Sequence, residues 1–329
     1  MATFTAAPDV KRAAFGNGVR GALWFAFPLI AVLIYRQALA AVSFTASQGV
    51  GLLTILAIAA AIGIPLSGLA IVLRSPAAAF AGYLTIVIPP LITATAGLVR
   101  IGGHGGYWTA LALSVPVLIF GGGFALSASP GRILLNLHRT SAIALVIFVV
   151  AHLSNHPFAL DSLAAHKTVQ DALRIVYRNA IVEPLLIAAL AGQAISGVAL
   201  AWRGRHRQGF LNHAQAASGL FIAVFLCSHV MATLVSGRAL GHIETDFIFA
   251  AGGRAGLLHS PGSVMLIPYY FLAPVAFFTH AGGALRRMLL RRRSPNANRA
   301  AAGIFAVGAA LSVVILLALC GVGGIARAL

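Results

Sequence analysis

The stretch SAIALVIFVVAHLSNH, residues 141–156, places two histidines at the end of an almost purely apolar run. A second stretch, SGLFIAVFLCSH at residues 218–229, repeats its pattern of a serine, a phenylalanine seven positions later and a histidine eleven positions later. At about 100° per residue, these three positions lie close to one line along a helix. Each stretch therefore predicts a membrane helix with a small residue, an aromatic ring and an imidazole on one face.

The matching residues are Ser141, Phe148 and His152 in the first stretch and Ser218, Phe225 and His229 in the second. One further apolar span separates the two helices, so they run parallel and the two histidines lie at similar depth. Ionisable groups inside a bilayer are costly and usually functional, and two facing neutral imidazoles suit bis-histidine ligation of a haem iron. We expect His152 and His229 to be axial ligands, with the serines, the phenylalanines and Gly219 around the porphyrin. The alternative is that each histidine only hydrogen-bonds a neighbouring carbonyl.

The composition is that of an integral membrane protein. Of 329 residues, 60% are hydrophobic and only 9% are charged, whereas soluble domains carry about 25% charged residues. The net charge of +17 fits basic loops on the cytoplasmic side of a membrane, and no basic and aromatic surface predicts nucleic-acid binding. Cys227 and Cys320 both lie in apolar runs and predict neither a disulfide framework nor a metal site.

Nine apolar runs are each long enough to cross a bilayer, which takes about 20 residues. They must be helical, because lipid offers no partners to backbone polar groups. The nine runs cover residues 22–45, 49–73, 78–100, 107–127, 138–157, 180–202, 214–236, 263–285 and 300–323. Pro89 and Pro90 predict a kink or break in the third span, and Pro268 and Pro274 predict the same in the eighth.

Basic residues favour a cytoplasmic N-terminus in a bacterial inner membrane. Arginine and lysine concentrate before span one, at the start of span five and after spans six and eight, which all fall on one side. The loop 158–179 falls on the other side and contains HKTVQDALRIVY, residues 166–177. Val169, Leu173 and Val176 have helical spacing there, which predicts a short amphipathic helix on the membrane surface.

A second pair of histidines, His138 and His280, lies nearer the cytoplasmic side. His138 occupies nearly the same helix face as His152, and His280 comes late in span eight, so the geometry allows a second haem between them. The alternative is that both are interfacial histidines near phosphate headgroups. His156, one turn after His152, is a candidate contact for a haem propionate or a quinone, or an interfacial histidine.

Three charged residues near the non-cytoplasmic rim are further candidates. Glu183 begins span six and has two open roles, which are proton transfer at a quinone site or pairing with Arg178. Arg178 and Arg238 are candidates to neutralise haem propionates, although rim arginines are often only solvated.

The chain resembles the cytochrome b membrane subunits of succinate dehydrogenase and fumarate reductase, above all the dihaem type with one chain. Similar modules anchor some bacterial adenylate cyclases. The resemblance rests on LHRTSAIALVIFVVAHLSNH, YRNAIVEPLLIAALAGQAISGVALAWR, ASGLFIAVFLCSHV and IPYYFLAPVAFFTHAGGALRR and covers about residues 132–290. It implies an all-α membrane bundle with a four-helix haem-binding core at 131–293. A four-helix region of unknown role, 1–130, precedes this core, and a C-terminal transmembrane helix, 294–329, follows it.

The resemblance also implies ligands and partners. A first haem ligated from the first and third core helices corresponds to His152 and His229. A second haem ligated from the second and fourth helices corresponds to His280, but the second helix carries Gln193 where the family has a histidine. The second haem is then absent, or its other ligand is His138. The resemblance further implies quinone chemistry and a partner subunit, because the chain has no flavin, iron–sulfur or dinucleotide motif.

The sequence therefore predicts a b-type cytochrome with one or two haems, which passes electrons between the quinone pool and a partner subunit. One alternative is a haem-binding redox sensor or structural subunit without turnover of its own. The other is a metal or proton transporter that depends on the histidines.

Overall fold

The computed structural model describes residues 10–74, 76–129, 131–204, 209–260 and 262–324, and no strand occurs among them. The N-terminal part contains α1 (Val10–Ser47), α2 (Leu52–Val72), α3 (Pro76–Ile86), α4 (Ile88–Gly102) and α5 (Gly106–Leu126). The C-terminal part contains α6 (Gly131–Asn155), α7 (Leu163–Tyr177), α8 (Val182–Arg203), α9 (Phe210–Val230), α10 (Phe247–Ala250), α11 (Leu266–Arg291) and α12 (Ala297–Leu319). A 3₁₀ helix, His156–Leu160, follows α6, and a π-helix, Met231–Leu240, continues α9.

The architecture is that of a multi-pass membrane protein. Seven helices among the described residues are long and apolar enough to cross a membrane, and the bent pair α3 and α4 brings this to eight if it counts as one span. The remaining predicted span, α11, is 26 residues long but contains prolines, tyrosines and a histidine, so it is less apolar. Large apolar side chains such as Ile55, Val117 and Ile147 are at least 59% exposed on the outer surface, as a surface in contact with lipid requires.

The prolines act differently in the two spans where an interruption was expected. At Pro89 and Pro90, α3 and α4 meet at a bend of 59°, because proline lacks the backbone N–H that would continue the hydrogen-bond ladder. The eighth span has no break, since α11 continues through Pro274, so of the two expected effects only a kink remains. Pro268 lies in the first turn of α11, where a missing N–H has no helical partner to lose.

Four helices, α6, α8, α9 and α11, form the core that carries the candidate site. In this core α8 packs against α6 and α9, and α9 packs against α11. Within the described ranges, α6 has no extensive packing against α9 or α11. The backbone of α6 therefore lies farther from these two helices than from α8, and this wider spacing is called the gap below.

The N-terminal helices cover the flank of this core. Ile86 of α3 packs with Phe221 of α9 and Leu272 of α11. Ile119 of α5 packs with Val198 of α8 in a second cluster. The first five helices are therefore joined to the core by buried apolar contacts.

The bundle has two different ends. At one end, which we call the α7 end, a buried cluster joins Val42 of α1, Ala159 of the 3₁₀ helix, Leu257 and Leu319 of α12. At the opposite end, which we call the arginine end, Arg203 at the end of α8 donates to the carbonyl of Ser129, just before α6. The order of the helices places α7 and the loop 241–265 at the α7 end.

Two glycines allow α2 and α3 to cross at close range. A Cβ atom on Gly68 would lie 2.3 Å from the carbonyl oxygen of Gly82, and one on Gly82 would lie 2.5 Å from that of Gly68. Backbone atoms cannot rotate away as a side chain can, so any larger residue must push the two helices apart.

We expect Gly68→Ala to lower the thermal stability of the purified protein in detergent, by an overpacking cost of about 1–3 kcal/mol. The matched control is Gly63→Ala in the same helix, where an added Cβ would have no neighbour within 4 Å. Equal melting temperatures for the two variants would contradict the close crossing of α2 and α3.

Candidate functional site

His152 of α6 and His229 of α9, here called the first pair, face each other across the gap. Their ring centroids are 6.4 Å apart and their planes are inclined by 68°. Each imidazole stacks on the phenylalanine one turn earlier in its own helix, Phe148 at 5.7 Å and Phe225 at 5.0 Å. The spacing of four residues places each ring over its partner, and the stacking holds both imidazoles in orientation.

His138 of α6 and His280 of α11 form the second pair. Their ring centroids are 6.1 Å apart and their planes are inclined by 75°. The Nδ1 atom of His280 lies 3.0 Å from the carbonyl oxygen of Gln215, so it donates there and leaves a lone pair on Nε2. A Cβ atom on Gly219 would lie 2.8 Å from the Cε1 atom of His280, so this ring needs a glycine beside it.

His138 has polar contacts at both ring nitrogens. Its Nδ1 atom lies 2.9 Å from the Oγ atom of Ser196, and its Nε2 atom lies 3.2 Å from the Nε2 atom of Gln193. Ser141 donates to the amide oxygen of Gln193. Gln193 therefore lies directly against His138, and it must move if this ring is to bind a metal.

The serines of the repeated motif lie near the second pair. Ser141 contacts Gln193, beside His138, while Ser218 donates to the carbonyl oxygen of Gln215, which also contacts His280. In each motif the serine therefore lies near the second pair, and the histidine belongs to the first pair. His138 and His152 are separated by fourteen residues of one helix, which is about 21 Å along its axis.

A series of aromatic rings leads from the first pair to α7. The ring of His156 is 5.1 Å from that of His152 and stacks on that of His166 at 5.7 Å, measured between centroids. His166 is 1% exposed, and its burial lowers its pKa to about 4, so it is neutral near pH 7. Its Nε2 atom lies 3.0 Å from the amide nitrogen of Asn155 and therefore accepts a hydrogen bond.

The predicted rim residues have partners in the structure. Arg238 and Glu183 form an ion pair in which both carboxylate oxygens take part, so the partner of Glu183 is Arg238. Arg178 donates to the Oγ1 atom of Thr245 over 3.0 Å. These contacts bind the start of α8 to the π-helix. They also bind the end of α7 to the loop that follows the π-helix.

One buried arginine was not singled out from the sequence. Arg174 on α7 has 8% of its side chain exposed and donates to Glu244 and to the carbonyl of Thr245. The signal that could have found it is the spacing of His166, Gln170 and Arg174 by four residues, which places three polar side chains on one helix face.

A groove of about 760 Å³ lies beside the Glu183 and Arg238 ion pair. Pro184 and Ala188 of α8 line one side, and Leu234 of the π-helix lines the other. The π-helix has a wider turn than an α-helix, and such segments are frequent at functional sites. The groove is therefore an apolar slot with a carboxylate and a guanidinium at its edge.

In comparisons with protein-family models, curated proteins and solved structures, no match to this chain was found. Within the described residues, no group of three or more His, Cys, Asp or Glu side chains is arranged to hold a metal ion. The first and second pairs each bring together two imidazoles.

Proposed function

We propose that the chain is a membrane-embedded b-type cytochrome, with His152 and His229 as the axial ligands of one haem. The observation that carries this proposal is the distance across the first pair. A metal–imidazole bond is about 2 Å long, so two imidazoles on opposite sides of one metal ion have centroids about 6 Å apart. The ring centroids are 6.4 Å apart in the first pair and 6.1 Å apart in the second pair. Ligation of this kind would not fix the mutual inclination of the two ring planes, so the observed angles of 68° and 75° are compatible with it.

The surroundings of the first pair also suit a porphyrin. The backbones of α6 and α9 are not closely packed in the described part of the chain, and the first pair bridges the space between them. The two imidazoles are held by stacked phenylalanines, and polar groups lie only a turn away at the α7 end. When bound, haem supplies a one-electron centre whose potential depends on its axial ligands, its burial and nearby charge.

We further propose that His138 and His280 hold a second haem. The hydrogen bond from Nδ1 of His280 to Gln215 is the outer contact that commonly orients a ligating histidine. Displacement of Gln193 would free Nε2 of His138. The chain would then have one electron carrier in each half of the bilayer.

The groove beside Glu183 is the proposed quinone site. Its apolar walls suit a quinone ring, and its carboxylate can transfer the protons that quinone reduction or quinol oxidation requires. Arg238 holds this carboxylate in place. The resemblance to the cytochrome b subunits supports this assignment and also a partner subunit, which would exchange electrons with this chain.

We also infer nine crossings, including α11, with the N-terminus in the cytoplasm of a bacterial inner membrane. Support comes from the basic residues Arg132, Arg139, Arg203 and Arg286, which belong to the arginine end of the bundle, as the positive-inside rule predicts for cytoplasmic loops. The α7 end is then non-cytoplasmic.

We expect His229→Ala to remove the haem of the first pair, because one axial ligand is lost. The measurement is the haem content of the purified variant by pyridine haemochrome, together with its reduced-minus-oxidised spectrum. The matched control is His213→Ala in the same helix, whose ring contacts Tyr83 rather than the gap. His229→Met should retain haem with a raised midpoint potential, as His/Met ligation does in cytochromes. An unchanged spectrum in His229→Ala would refute the first pair as ligands.

We expect His280→Ala to remove only the second haem, so that haem content falls by about half while the first-pair spectrum persists. Haem content equal to that of the unmodified chain would show that His280 is not a ligand. Ser312→Ala, which removes a buried hydroxyl that bonds within the neighbouring helix α12, is the control for general disturbance of this region.

We expect Glu183→Gln to slow the reduction of haem by a quinol in stopped-flow measurements by about a hundredfold, because general acid–base catalysis contributes about 10²–10⁴-fold. Haem content should not change. Asp171→Asn, which alters an exposed carboxylate on α7, is the control. Equal rates in the two variants would leave Glu183 a purely structural partner of Arg238. If quinol does not reduce the haem of even the unmodified chain, turnover with quinol is excluded. The function is then that of a redox sensor or a structural subunit.

A further inference from the structure

Helix α7 turns a polar stripe, not an apolar one, toward the rest of the protein. The stripe consists of His166, Gln170 and Arg174, which are 1%, 9% and 8% exposed. Ile175 and Val176 on the outer side are 79% and 63% exposed. The outer side also carries an exposed ion pair, so the feature that distinguishes α7 is the burial of three successive polar side chains on one face. Buried polar groups need partners, which indicates that this face covers something polar.

Unpaired polar atoms lie around this stripe. Five buried side-chain nitrogen or oxygen atoms in the described part of the chain have no hydrogen-bond partner, and four of them belong to this region. The four are Asn155 Oδ1, His156 Nδ1, Gln170 Oε1 and Arg174 Nε. Buried polar groups almost always have a partner, so four unpaired atoms on two facing segments mark a site for a polar ligand.

These four groups can all act as donors. Arg174 Nε carries a hydrogen in every state, and the neutral ring of His156 can carry its hydrogen on Nδ1. The amides of Asn155 and Gln170 present N–H groups after a flip, which exchanges nitrogen and oxygen without changing the packing. His166 then donates to Asn155 in its other tautomer. Donors spread along two neighbouring segments suit a ligand with acceptor oxygens only, and a carboxylate is such a ligand.

The site adjoins the first pair, since the ring of His156 is 5.1 Å from that of His152. We infer that the polar stripe of α7 binds the propionate carboxylates of the haem held by His152 and His229, an inference that rests on the proposed function. Arg174 already pairs with Glu244 through its terminal nitrogens, so its contribution to these propionates is the unpaired Nε–H. Of the two arginines expected in this role, Arg238 pairs with Glu183, while Arg178 contacts only the hydroxyl of Thr245 and stays a second candidate cation.

The test compares two ligands that differ only in their carboxylates, haem and its dimethyl ester, in which both propionates are masked. Each is titrated into full-length haem-free protein that carries His280→Ala, so that binding at the second pair does not contribute. The dissociation constant is read from the Soret band. We expect the ester to bind about tenfold or more weakly than haem, as the loss of charge-assisted hydrogen bonds implies.

The variant Arg174→Gln should weaken haem binding about tenfold and leave the ester almost unaffected, so that the two ligands become nearly equal. The matched control is Lys167→Gln, which makes the same change of charge on the exposed side of α7, where Lys167 pairs with Asp171. This control should preserve the difference between haem and ester. Arg174→Lys should restore only part of it, because an ammonium lacks the Nε donor position.

Equal binding of haem and ester to the parent protein, with a bis-histidine spectrum, would overturn this inference and leave the proposed function standing. A difference that persists in Arg174→Gln would likewise overturn the role of the stripe. If neither ligand binds, the proposed function fails and the inference fails with it. If Arg174→Gln does not fold, Gln170→Ala, which removes another unpaired group of the stripe, replaces it, and a difference between haem and ester that stays unchanged in this variant would overturn the role of the stripe.

Discussion

The proposed site depends on contacts between imidazoles on helices whose backbones are not closely packed. Helix α6 packs on α8, has no such packing against α9 and α11 in the described residues, and meets them at the rings of the first and second pairs. Imidazoles placed in an apolar bundle lose their hydration and need partners for their nitrogens. In the second pair, protein groups provide partners, such as Gln215 for His280. A ligand between the two rings of a pair would bind both imidazoles at once. One such ligand in each pair would join α6 to the rest of the core.

The repeated motif explains how one pair of helices can serve two sites. Its serine and its histidine are eleven residues apart, so they lie on one face but about 16 Å apart along the axis. The serine ends lie near the second pair, and the histidine ends form the first pair. The N-terminal helices pack on the other side of α8 and α9 and shield that flank, while the close crossing of α2 and α3 keeps this cover thin.

Much of this arrangement could be predicted from periodicity and direction. Apolar runs of membrane length identified the long helices, the spacing in 166–177 identified α7, and two adjacent prolines located the bend between α3 and α4. The approach of His152 to His229 was expected because one intervening span makes their helices parallel. At Pro274 the helix is unbroken, because neighbouring helices in a bundle can support a helix through a proline, so the choice between a kink and a break depended on the surrounding helices.

Contacts that depend on loop conformation could not be predicted. The partner of Glu183 is Arg238 and not Arg178, because the π-helix brings Arg238 beside the start of α8. Arg174 was overlooked because α7 was identified from its apolar residues, whereas its buried face is polar. The position of Gln193 against His138 required the crossing of α6 and α8. In each case, long-range packing selects among partners that local sequence leaves equivalent.

The most direct test of the central claim is the haem content of the purified unmodified chain, produced with ample haem and measured by pyridine haemochrome and a dithionite-reduced minus oxidised spectrum. The account predicts a b-type spectrum with about two haems per chain. A content of one haem per chain would support the first pair as ligands and exclude the second pair. A chain without any haem signal would contradict the claim that the paired imidazoles are axial ligands.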